Sequence, residues 1–198
     1  IVPDFMRFVN RSVNLGFLEQ SIPVVSLREE PLQKGYNRLL KRCFDLFVSL
    51  IFTLTIFPFL FIVLGTIIKC TSKGPIFFKQ KRTGENGREF NCLKFRTMKV
   101  NKDADKVQAT KGDSRITKIG AFMRKTNLDE MPQFLNVLIG DMSIVGPRPH
   151  MLKHTEMYSK LIDKYMVRHY AKPGITGWAQ VTGYRGETKE LSEMEGRI

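Results

Sequence analysis

Residues 46–68 read LFVSLIFTLTIFPFLFIVLGTII, and not one of the 23 side chains from Leu46 to Ile68 is charged. As one straight helix the run would reach about 34 Å, against about 30 Å for a bilayer core. Such a run inside a soluble core would be exceptional, so membrane contact is the first expectation. Pro58 interrupts it. Proline removes one helical hydrogen bond and clashes with the preceding turn, leaving limbs of about 15–18 Å, roughly half a bilayer each. Basic residues flank both ends, Lys41 and Arg42 before and Lys69 and Lys73 after. Positive charge marks the cytoplasmic side. A helix–break–helix hairpin that enters and leaves the same leaflet satisfies both observations. A proline-kinked spanning helix also satisfies the physics.

The rest of the chain is ordinary for a folded protein, with 42% hydrophobic and 26% charged residues among 198. The 32 Lys and Arg outnumber the 19 Asp and Glu, for a net charge of +13. A field of that sign attracts nucleic acid, anionic lipid or phosphorylated small molecules. Cys43, Cys70 and Cys92 have no CxxC spacing, which argues against a disulfide framework or a zinc site. His150, His154 and His169 lack metal-ligand spacing, and neither a Walker motif nor GxGxxG is present.

Outward from the apolar run, three regions are expected: residues 1–38 as the tail of an upstream module and a linker, 39–72 as the membrane helix, and 73–198 as a cytoplasmic domain. The chain starts at Ile1 and stops at Ile198 in charged, helix-compatible sequence, so it is read as part of something longer, truncated at its C-terminus. Ile22–Leu27 reads as a short strand. Pro75–Arg82 reads as another, Asn86-Gly87 as a hairpin turn, and Phe90–Met98 as the return strand. Residues 99–115 are polar and without apolar period. A helical region from Ile119 to Leu138 breaks near Asn127. Tyr158, Leu161, Ile162, Tyr165 and Met166 recur at helical spacing in 151–170, opposite Lys153, Lys160, Asp163, Lys164 and Arg168. That amphipathic helix suits a core or a lipid surface. The class is α+β, a membrane-embedded re-entrant helix pair with a small helical domain, a β-hairpin and interfacial helices.

Four segments can carry chemistry. Asn127-Leu128-Asp129-Glu130 has capping-box spacing, so two acids can simply stabilise a helix start. The same place can bind phosphate on free N–H groups, hold Mg²⁺ through a carboxylate, or present a nucleophile. Gly140–Pro149 contains Asp141 and holds Arg148 between two prolines, which stiffens the backbone under a guanidinium suited to phosphate. Alternation puts Lys94 and Arg96 on one strand face, with Arg124 further on. Lys172–Gln180 contains the single tryptophan, Trp178, a residue suited to a membrane interface, a stacking platform or a core.

In this order the segments resemble the monotopic phosphoglycosyl transferases, the bacterial sugar transferase family. The resemblance runs from about Leu39 to Glu187. It rests on Lys41-Arg42-Cys43-Phe44-Asp45, the Pro58 break, Gly74–Gln80, Lys94–Met98, Leu128-Asp129-Glu130, Gly140–Pro149 and Pro173–Gln180. It implies a re-entrant hairpin in one leaflet of the bacterial inner membrane, with the domain on the cytoplasmic face. It implies a transferase in which Asp129, with Glu130 beside it, attacks the β-phosphate of a UDP-sugar and releases UMP. The phosphosugar then passes to undecaprenyl phosphate, with Mg²⁺ held at Asp129. Lys94, Arg96, Arg124, Asp141, Arg148, Lys172 and Gln180 form the expected substrate-binding set. Gly183–Thr188 resembles the ending of glucose-1-phosphate transferases, which favours UDP-glucose over galactose or an N-acetyl amino sugar. The chain departs from the family at Lys172, where many relatives have Arg, and at Asn127, where Ser is common. Membrane lipid and a homo-oligomer are the other expected partners. A noncatalytic scaffold of polysaccharide assembly is the competing reading, and nucleic acid binding sits poorly with the apolar run.

Overall fold

The computed structural model describes residues 13–18, 22–27, 31–100, 113–162, 165–183 and 194. The expectations for most of 99–115, for Asp163 and Lys164, and for the stretch after Gly183 lie outside the described residues. Strands β1 (Val13–Leu18) and β2 (Ile22–Leu27) form an antiparallel pair with Leu18 opposite Ile22.

The apolar run forms two helices, α1 (Gly35–Thr55) and α2 (Phe57–Thr71), bent by 54°. The break falls at Ile56, two residues before Pro58, which occupies the first turn of α2. That is where proline is tolerated, because its missing N–H has no partner to lose there. No single helix among the described residues is long and apolar enough to cross a membrane, although the bent pair together has the length and composition. Within the pair, the hydroxyls of Thr55, Thr66 and Thr71 donate to carbonyls one turn back, which leaves those polar groups satisfied on an apolar surface. Phe44, Phe47, Leu50, Leu54, Phe59 and Ile62 are all exposed on it.

Strands β3 (Phe77–Thr83) and β4 (Glu89–Phe95) form the expected hairpin, with Phe78 opposite Lys94. Asn86 and Gly87 both have positive φ in the turn, the conformation that Asn-Gly favours. Alternation along β4 feeds two cores. Phe95 joins Leu64, Ile68 and Met123, with Phe57 and Phe77 packed against them. Cys92, with Phe90 beside it, packs on Val137 and Met142. The membrane-helix candidate α2 therefore shares a core with the hairpin.

Helix α3 (Lys118–Thr126) starts at Thr117, whose hydroxyl accepts the Gly120 N–H. A side chain at Gly120 would strike the Thr97 carbonyl, so the close approach of α3 to the hairpin requires glycine there. Helix α4 (Gln133–Ile139) follows a tight turn and stacks Phe134 on Phe52 of α1. Strands β5 (Ser143–Val145) and β6 (Gly174–Thr176) pair in parallel. The expected helix over 151–170 is two pieces: α5 (Leu152–Leu161), then a 3-10 turn Tyr165–Tyr170. Ile162 is extended between them, which lets Ile162 and Tyr165 enter a third core with Met194. Helix α6 (Trp178–Val181) is one turn. Trp178 is 81% exposed on it, which removes the core-anchor reading of that residue.

Candidate active site

The acidic pair sits on the connection between α3 and α4. Helix α3 ends at Asn127, whose backbone is left-handed at φ 57°. Asparagine tolerates that region better than most residues. A 3-10 turn, Leu128–Glu130, follows. Leu128 and Met131 pack on the first core from either side of the pair, so the turn is pinned while Asp129 and Glu130 are held almost fully buried. The capping box is not formed. Asn127 makes no side-chain cap and serves as the C-cap of α3, while the Glu130 side chain is engaged elsewhere.

Lys94 Nζ donates to Glu130 Oε1 at 2.7 Å, and Arg148 Nη2 donates to the same oxygen at 2.9 Å. Burial pushes the Glu130 carboxyl up, but Lys94 and Arg148 outweigh it and hold it down at about 2. Asp129 goes the other way. Burial raises it, the neighbouring Glu130 adds to the rise, and Lys94 and Arg124 only partly offset both. Asp129 takes part in no ion pair among the described residues. Adjacent carboxylates are thus split, one compensated twice and one reached by cations only through space. Two carboxyls driven apart by their surroundings are a mark of divided roles.

The structure brings together Asp129, Glu130, Lys94 and Arg148, with Arg124 close enough to act on Asp129. Arg124 is steadied by Thr97 Oγ1 at 3.0 Å. The other expected substrate ligands are engaged in the scaffold. Strand β4 ends at Phe95, so Arg96 leaves the face of Lys94 and donates to the Ser72 and Lys73 carbonyls at the end of α2. Lys172 donates to the Gly140 carbonyl at 2.8 Å, capping α4. Asp141 lies 3.4 Å from the Asn136 amide, and Gln180 donates to Ile175 O at 3.4 Å. No group of three or more His, Cys, Asp or Glu side chains converges among the described residues.

A family model described as bacterial sugar transferase matches residues 36–198. The chain belongs to the bacterial sugar transferase family. Two relatives, from Klebsiella pneumoniae and Escherichia coli (strain K12), are each named UDP-glucose:undecaprenyl-phosphate glucose-1-phosphate transferase. They are 53% identical over 178 residues (89% of this chain, 38% of the relative) and 48% identical over 202 residues (100% and 42%). A third of the same name, from Caulobacter vibrioides, is 44% identical over 97% of this chain and 71% of its own length. The chain thus spans about two fifths of the first two relatives.

Other residues of this bacterial sugar transferase hold the frame around the site together. Asp45 is buried in α1, one residue before the uncharged run, and accepts from Lys41 Nζ at 2.6 Å, Ser143 Oγ at 3.1 Å and the Ile144 N–H at 3.1 Å. Lys41 also donates to Ser143 Oγ. Arg42 donates to the Val137 and Leu138 carbonyls. These contacts bolt the apolar helix pair to β5 and α4. In the sequence Lys41–Asp45 and Gly140–Pro149 stood out as segments of the family resemblance, and Lys41 and Asp45 by their i,i+4 spacing, but nothing local showed that the two segments meet. Asn136 joins α4 to β4 through the Leu93 N–H and the Asn91 carbonyl, with no sequence signal.

Proposed function

We propose that this chain is the catalytic part of an enzyme that moves glucose 1-phosphate from UDP-glucose to undecaprenyl phosphate, releasing UMP. The observation that carries the reading is the split acidic pair: Asp129 buried and outside any ion pair among the described residues, beside a Glu130 clamped by Lys94 and Arg148. The names of the relatives supply the donor and the acceptor.

The chemistry follows from the charges. A carboxylate oxygen of Asp129 attacks the β-phosphorus of the donor. The bond from that phosphorus to the bridging oxygen breaks, and UMP leaves with the electron pair. An oxygen of the acceptor phosphate then attacks the phosphorus of the phosphosugar–Asp129 linkage, the bond from that phosphorus to the Asp129 oxygen breaks, and the carboxylate is restored. No proton needs to be removed from either nucleophile, so Glu130 is not required as a base, and a carboxyl held near 2 is a poor one. Its role is to fix Lys94 and Arg148 where donor phosphates arrive. Arg148 is suited to this because its side chain remains 42% exposed while paired, and its fork matches phosphate oxygens. Burial strengthens each of these interactions.

Mg²⁺ fits this donor set. A desolvated carboxylate outside any ion pair is stabilised by a cation, and Mg²⁺ binds through one or two carboxylates with phosphate and water oxygens completing its shell. Asp129 would hold it, and when bound it would draw charge from the diphosphate as that bond breaks. The substrates differ in solubility, so the site belongs at a bilayer surface. We assign α1 and α2 to the cytoplasmic leaflet of the inner membrane as a re-entrant pair. Their exposed apolar side chains, the 54° bend and basic residues at both ends support this.

The test is UMP release by the full-length protein in lipid nanodiscs, across a panel of UDP-sugars, with undecaprenyl phosphate. Turnover with UDP-glucose, lost in Asp129→Asn and on chelation of divalent metal, is expected. Turnover retained by Asp129→Asn would end the proposal.

A further inference from the structure

Arg148 is presented by a backbone with four successive carbonyls held by four different partners. Pro147 O accepts the Gly174 N–H at 2.9 Å, and His150 O accepts the Thr83 N–H at 3.2 Å. Pro149 O accepts Arg82 Nη1 at 3.3 Å. Arg148 O accepts Arg168 Nη2 at 2.6 Å, the shortest of the four. Arg168 is 5% exposed. Its other terminal nitrogen, Nη1, lies 3.1 Å from His150 Nδ1, and Tyr165 Oη lies 2.6 Å from that same Nδ1. The Arg168 guanidinium also sits over the Tyr165 ring, 5.3 Å from its centre.

One planar fork therefore grips residues 148 and 150 across Pro149. A lysine in its place has a single ammonium and cannot hold both acceptors in a plane. Burying a guanidinium is costly unless its donors are used. Here they are used on the segment that carries the Glu130-pairing arginine. Sliding that segment by an ångström would break the 2.9 Å contact to Glu130, and misplacement on that scale is enough to slow a positioned reaction roughly 100-fold.

We infer that Arg168 is a positioning residue for Arg148: it fixes the backbone from which the phosphate-binding guanidinium reaches the acidic pair, without touching that pair. This rests on the phosphoryl-transfer reading above. Its reach is narrower than general stability, because the effect must pass through Arg148.

A double-mutant cycle in the full-length protein tests this. In the native background Arg168→Gln is expected to lower kcat/KM for UMP release roughly 10- to 100-fold. In an Arg148→Lys background, which already lacks the fork, the same change should cost less than about twofold. Equal losses in both backgrounds would overturn the inference and leave Arg168 as a structural residue only. If Arg168→Gln does not fold, Arg168→Lys replaces it in the same cycle with the same criterion. If the wild-type protein releases no UMP, the functional reading has failed, and positioning is then judged by nitrogen-15 NMR of the Arg148 Nε–Hε group. A sharp signal that broadens or moves in the Arg168 variant supports positioning, and an unchanged signal refutes it.

Discussion

Lys94→Met probes the split between the two carboxylates, because Lys94 is the cation that acts most strongly on both. The contact removed is the 2.7 Å bond to Glu130 Oε1, between side chains only 18% and 11% exposed, so solvent screens it little. A hydrogen bond between charged groups contributes about 1.5–3 kcal/mol. Losing it lifts Glu130 from about 2 back toward its ordinary 4.5. Asp129 loses the cation that partly offsets its burial and rises further. Turnover needs Asp129 ionised, so activity falls as pH drops through its raised pKa, and in Lys94→Met that acid limb moves to higher pH. The expected loss in kcat/KM at neutral pH is roughly 10- to 150-fold, the same free energy read as a rate. The assay is UMP release by the full-length protein between pH 4 and 8. An acid limb in its wild-type position, with kcat/KM within about twofold, would refute the reasoning.

Two more perturbations address the frame that carries the site. Asp45→Asn keeps the shape but removes the charge that binds Lys41, Ser143 and Ile144. Lys41 is 29% exposed, so the cost is put at about 2–3 kcal/mol, below the full value for breaking a buried pair. Thermal unfolding in detergent should shift down by roughly 5–10 °C, and no shift would mean the bolt carries little. Pro58→Leu restores the missing N–H at the bend. With the 54° bend, spin labels on the exposed Cys43 and Cys70 should lie about 36 Å apart along the helix axes, lengthening to about 40 Å if the pair straightens. An unchanged distance would show that something other than the proline sets the break.

Much of this was legible in the sequence because the strongest signals were local. The uncharged run with Pro58 announced two helices and a break, and only the position of the break moved, from Pro58 to Ile56. Asn86-Gly87 announced the hairpin. The acidic pair and Arg148 were legible as candidates because their residue types are chemically suited to phosphate, and the structure brings them together. What escaped was set by changes of period and by tertiary partners. Alternation put Arg96 beside Lys94, but the strand ends one residue earlier and Arg96 turns to the carbonyls of α2. A continuous helix put Arg168 on the charged face, opposite the apolar one. The actual chain leaves the α-helix at Leu161 and resumes at three residues per turn, which buries Arg168 beneath the Arg148 segment. Asn127 looked like a helix start by spacing alone, yet its left-handed backbone ends the preceding helix. Lys172 was legible as a phosphate ligand by residue type, whereas its bond to the Gly140 carbonyl depends on how α4 ends and had no local signal.

The most direct test is to quench the full-length protein seconds after mixing with UDP-glucose and Mg²⁺, without any lipid acceptor, and map the digested peptides by mass spectrometry. A hexose phosphate on the peptide containing Asp129, with about one UMP released per protein molecule, is the predicted result. UMP that appears only when undecaprenyl phosphate is added, with that peptide unmodified, would contradict a covalent relay through Asp129.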